Sequence, residues 1–117
     1  MTDRVELVEI VTTVATEPEA VHIAQVLVRE RLVACANLVR CRSIYRWNGA
    51  IPDEPEVQIA LKTVVARAAD VERRLRELHP YETPAILRLP VLEANQDYAA
   101  WVADAADERA ADETTPT

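Results

Sequence analysis

The chain has 117 residues, half of them hydrophobic and 28% charged, a composition that suits one soluble globular domain able to bury a core without disulfides or metal. Its formal net charge of −7 argues against a nucleic-acid partner, because phosphate contacts need clustered Lys and Arg. No apolar run approaches the ~18 residues of a membrane span and the start shows no secretory pattern, so no membrane partner and a cytoplasmic location are expected.

Residues 5–14, VELVEIVTTV, are β-branched and apolar almost without a break, the pattern of a largely buried strand. Thr16 and Glu19 form a T-x-x-E capping box, and Pro18 is tolerated in a first helical turn. Ala20, Ile23, Ala24, Leu27 and Val28 then share one face, which predicts a helix over 17–31 with His22 on its wet side. The stretch VACANLVRCRSIYRWNG is a long strand that carries Ser43, Tyr45 and Trp47 on one face. Asn48-Gly49 signals a type I′ hairpin turn. Pro52 and Pro55 are expected to interrupt pairing of the returning strand, whose clear alternation runs from Val57 to about 64.

A second helix is predicted over 67–79, with Ala68, Val71, Leu75 and Leu78 as its stripe and Pro80 as its stop. The run ERRLRELH reads as its solvated face. AILRLPVL is a fourth strand, and Asn95 caps a last helix in which Tyr98, Trp101, Val102 and Ala105 share a face. The order βαββαβ plus a C-terminal helix is an α+β fold, the ferredoxin-like antiparallel sheet with two helices on one face. Residues 1–110 form the single domain, and 111–117 are expected to be a disordered acidic tail. Tyr45 and Trp47 on a projecting hairpin would be exposed in a monomer, and exposed aromatic patches usually mark an interface.

The chemistry-bearing residues are few. One glycine, placed in a hairpin, leaves no glycine-rich phosphate loop. Two cysteines and two histidines without CxxC or HxxxH make a structural zinc site within one chain a poor fit. Cys35 and Cys41 lie roughly 20 Å apart on a regular strand, too far for a disulfide or a shared metal, and each suits a small core or interface position. His79 ends the second helix; it either caps free carbonyls there or ligates a metal with Glu82 or a residue of another subunit. Tyr81 either offers a hydroxyl to a cleft or packs. Glu56 and Lys62 share a strand face, and Lys62 calls for a carboxylate partner or an anion. No nucleophile-and-base set is legible, so no catalytic residue is assigned.

The motifs RERLVACANLV, SIYRWNG, ALKT and ELHPYETPAILRLPV, closed by YAAWV, resemble in sequence and order the CutA family of divalent-cation tolerance proteins over residues 5–105. The resemblance implies a tight homotrimer similar in shape to PII signalling proteins, with hairpins extending sheets across subunits. It implies no enzymatic activity and no required cofactor, and an association with divalent metal ions, copper especially. Its candidate metal ligands fall here on Cys35, His79 and Glu82, and its inter-subunit cleft on Tyr45, Trp47 and Lys62. Tyr81 joins these in an alternative reading, a PII-like module that binds a small molecule or partner. The family's frequent Pro-Gly bend is replaced here by Arg40-Cys41-Arg42, and its proline before the first helix by Ala15.

Overall fold

The structure is a computed structural model that describes residues 5–107. The expected tail at 111–117 lies outside the described residues. Seven elements follow in order: β1 (Leu7–Val14), α1 (Glu17–Arg29), β2 (Cys35–Ile44), β3 (Asp53–Val64), α2 (Val65–Leu78), β4 (Leu87–Pro90) and α3 (Gln96–Ala105). The four strands pair antiparallel in the order β2-β3-β1-β4. This is the ferredoxin-like arrangement, with α1 and α2 covering one face of the sheet.

Burial follows the two-residue period of the strands. Val8, Ile10, Thr12 and Val14 of β1 and Val57, Ile59, Leu61 and Thr63 of β3 face the helices and are buried. Against them pack Ala20, Ile23 and Leu27 of α1 and Ala68, Val71 and Leu75 of α2, from the stripes the helical periodicity names; Val28, which that periodicity also places on the α1 face, stays 41% exposed at the rim. The opposite sheet face is bare of α1 and α2. Among the described residues only α3 crosses it, packing Ala99 and Val102 on Leu7 and Ala34 at one end. Ala99 rather than Trp101 completes the buried face of α3, and Trp101 stays half exposed beside Tyr98.

Local physics sets the ends of the elements. Thr16 caps α1 by accepting the Glu19 amide at 3.4 Å, while its hydroxyl donates to Glu19 Oε1 at 2.9 Å. The box therefore closes through the two side chains. The helix stops at Arg29, two residues short of expectation, because Arg31 turns left-handed with φ 58°. The amides of Arg31 and Leu32 then return to the carbonyls of Val28 and Leu27, a Schellman closure that drops Leu32 into the core. At the hairpin, Asn48 (φ 48°) and Gly49 (φ 78°) make the expected type I′ turn, closed by reciprocal bonds between Trp47 and Ala50.

Pro55 does not interrupt β3; the strand is four residues longer than its clear alternation and pairs Pro55 with Arg42. The bond from the Tyr45 amide to the Pro52 carbonyl shows that odd-numbered β2 residues carry the ladder in this stretch. The Arg42–Pro55 pair is then a non-bonded one, and the proline nitrogen points to the side where β1 has already ended opposite Val57. Asn95 stands at the N-cap of α3 but accepts no amide; it donates to Asp97, whose carboxylate takes the Tyr98 amide. Arg74, in the stretch read as solvated, joins both oxygens of Glu30 at 2.9 Å and so ties α2 to α1.

Candidate functional site

The residues singled out by sequence separate into two groups within the protomer. The first lies on the bare sheet face near α3. Cys35, Lys62 and Glu9 occupy one row across β2, β3 and β1. Lys62 Nζ donates to Asn37 Oδ1 and pairs with Glu9 Oε2 at 3.6 Å. The Cys35 thiol reaches the same Asn37 oxygen at 3.8 Å. Lys62 and Glu9 side chains are 28% and 30% exposed, so this is a half-buried charge pair on an otherwise mixed surface. Burial holds the neighbouring Tyr98 hydroxyl above the usual phenol range, with Cys35 and Glu9 adding to the shift. The carboxylate that Lys62 calls for is thus Glu9, from a strand that reads in the sequence as largely buried.

The second group gathers where the chain leaves α2. His79 is the C-cap, extended at φ −75°, and its amide bonds the Leu75 carbonyl. Its imidazole does not cap the helix end. It turns inward, 7% exposed, onto β1. Nδ1 accepts the Tyr81 amide at 3.1 Å, which leaves the proton of the neutral ring on Nε2. Nε2 lies 3.0 Å from both the Thr13 carbonyl and Thr12 Oγ1, and donates there. Burial pushes the imidazole pKa below its ordinary value, against the opposing pull of the Thr13 carbonyl and of Glu19 and Glu56. Both ring nitrogens are therefore engaged inside the protomer.

Tyr81 stacks tilted on His79 at 4.8 Å and reaches past the end of β1 to donate to Glu56 Oε2 at 2.5 Å. Burial, then the Glu56 bond, carries its phenol well above the usual range. Tyr45 makes the parallel bond to Glu54 Oε1 at 2.8 Å. Trp47 stands half exposed at the hairpin tip, and Glu82 is exposed in the turn after α2.

Register measures what these groups can share. Thr13, which holds His79, pairs with Gln58, four residues along β3 from the Lys62 that faces Cys35. That is roughly 13 Å along the strands, and His79 sits on the helix-covered face while Cys35 lies on the bare one. Lys62 is likewise six residues from Glu56, roughly 20 Å from the tyrosine end. One protomer brings Cys35 to Lys62 and His79 to Tyr81, and joins neither pair to the other. Among the described residues no group of three or more His, Cys, Asp or Glu is placed to hold a metal ion. Thr12, Thr13 and Asn37, which orient His79 and Lys62, were not singled out in the sequence. Their signal is weak: adjacent polar residues in a central apolar strand, and one amide in an edge strand.

Residues 8–105 match the family model described as CutA1 divalent ion tolerance protein. The chain belongs to that family. It is 38% identical over 96 residues to the divalent-cation tolerance protein CutA of Pyrococcus horikoshii, covering 82% of this chain and 94% of that one. The solved structure of CutA from Synechococcus elongatus superposes with a TM-score of 0.86 at 34% identity, over 91% of this chain and 95% of that one. A structure described as the periplasmic divalent cation tolerance protein CutA of Archaeoglobus fulgidus superposes with a TM-score of 0.84 at 27% identity, over 86% and 99%. Among the described residues no helix is long and apolar enough to cross a membrane. Where the CutA pattern often bends at Pro-Gly, Arg40-Cys41-Arg42 here continues β2 without a break. Cys41 therefore lies opposite Glu56 on the same bare face as Cys35.

Proposed function

We propose that the chain serves tolerance of divalent cations as a cytoplasmic homotrimer that binds copper or another divalent ion weakly at clefts between subunits. The role is non-catalytic and needs no resident cofactor. One observation carries the inter-subunit reading: Cys35 lies on the bare sheet face, whereas His79 lies on the covered one and Glu82 in the turn beyond. A site that uses sulfur and imidazole together has to draw them from different subunits. Such donors suit a soft or borderline ion. Association is supported by the apolar side chains left on the bare face, Val39 at 60% and Leu87 at 57% exposure, and by the half-exposed hairpin aromatics. Light scattering should give three times the chain mass. Calorimetry with copper should lose affinity in Cys35→Ser and His79→Ala. A stable monomer, or wild-type affinity in both variants, would remove this reading.

A second reading is favoured by the hydrogen bonds that engage both His79 nitrogens. In it the chain is a PII-like module, Tyr45, Trp47, Lys62 and Tyr81 shape a cleft for a small molecule or partner, and metal effects are indirect. Absence of copper binding near neutral pH, together with a metabolite co-purifying with the protein in mass spectrometry, would support it.

A further inference from the structure

The outer flank of α2 gathers positive charge that none of the groups above uses. Arg73 and Arg76 of α2, one turn apart, and Arg88 of β4 line an open groove of about 360 Å³ together with Glu72 and Ile86. That volume suits a small metabolite. Arg88 pairs in register with buried Ile10, so it projects from the helix-covered face at the outer edge of the sheet. Glu72 grips it through both carboxylate oxygens at 2.7 and 2.9 Å, which fixes the plane of its guanidinium. Arg73 has a 3.5 Å ion pair to Asp70, a loose contact. Arg76 has no ion pair or hydrogen bond among the described residues. Three guanidiniums face two carboxylates here, on a chain whose formal charge is −7. Ile86, packed against the core, gives the groove an apolar floor.

We propose that this groove binds a small phosphate monoester with an apolar body. Arg73 and Arg76 grip the phosphate, Ile86 receives the body, and Arg88 donates to whichever phosphate oxygen lies over β4. Guanidinium forks bind tetrahedral oxyanions through paired charge-assisted bonds, and donors from two elements can reach three oxygens where a carboxylate offers two. The site is independent of the metal reading, since it shares no residue with Cys35, His79 or Glu82.

Titration of the full chain with phenyl phosphate, followed by amide NMR at low ionic strength, tests it. Saturable shifts are expected at residues 72–76 and 86–88, with benzoate binding at least about fivefold more weakly. Arg73→Ala and Arg76→Ala should each weaken phenyl phosphate roughly three- to tenfold. Arg29→Ala, which removes the same charge at the end of α1, should leave the affinity unchanged. Equal weakening by Arg29→Ala would reduce the effect to net charge and overturn the site. Shifts elsewhere or no saturation would also overturn it, and benzoate binding as tightly as phenyl phosphate would overturn the choice of phosphate. Among the described residues Arg76 has no ion-pair or hydrogen-bond partner to lose, so its variant keeps the test open if Arg73→Ala is destabilised.

Discussion

His79→Ala separates a structural histidine from a metal ligand. The substitution deletes an imidazole that is 7% exposed and bonded at both nitrogens. Two lost hydrogen bonds cost about 1 kcal/mol each, and the Thr13 carbonyl and Tyr81 amide lose the partners that replaced water. The tilted contact with Tyr81 adds about 0.5–1 kcal/mol. The total is about 3 kcal/mol, a large share of a typical domain's 5–15 kcal/mol. At a urea slope of about 1.5 kcal/mol/M the midpoint should fall by about 2 M. The comparison requires metal-free protein at one fixed concentration, because assembly would shift both curves. Glu82→Ala, at an exposed turn position, should move the midpoint by less than about 0.3 M. A loss below about 1 kcal/mol for His79→Ala would refute the reasoning. It would mean that the ring is not held in place by these bonds.

Other outcomes follow from the same contacts. The folded pKa of His79 lies below its unfolded value, so its contribution is fully present above about pH 6.5 and is lost as pH falls from there through the folded value. Urea midpoints of the wild type should decline over that window more steeply than those of His79→Gln. Tyr81→Phe removes the 2.5 Å bond to Glu56 and should cost about 1–2 kcal/mol in the same assay. Thr63→Val removes a fully buried hydroxyl from the Leu32 carbonyl at 2.7 Å and should cost about 1–3 kcal/mol. Gly49→Ala should cost about 1 kcal/mol through its φ of 78° alone, since a Cβ there would meet nothing within 4 Å.

Periodicity made most of the fold legible. The stripes of α1 and α2 and the alternation of β3 name residues that the core does bury, with exposed Val28 the exception in α1. The hairpin was legible because Asn-Gly has one strong use between strands. Element ends were less so. Nothing in RERL announces that an arginine will take the left-handed position that ends α1. Pro55 looked like a breaker because which edge of a strand is unpaired is a tertiary fact. The candidate site residues could be named one by one in the sequence, but not how they group. Cys35 and Lys62 lie 27 positions apart, and only register sets them side by side. His79 looked like a helix cap because local sequence describes the helix it ends. Its true partners, Thr12 and Thr13, lie 67 and 66 positions away.

Arg31 and Asn48 adopt left-handed backbone that other chains commonly assign to glycine, and Gly49 is the one glycine present. Average usage would give a chain of this length about eight. Each glycine replaced by a residue with a side chain narrows the denatured ensemble, worth about 0.4–1 kcal/mol where the native angles allow it. Seven prolines narrow it further. Part of this protein's stability therefore resides in no contact of the folded state. It comes from the restricted conformational freedom of the chain before folding, and it would be eroded by glycine substitutions at exposed positions that touch nothing.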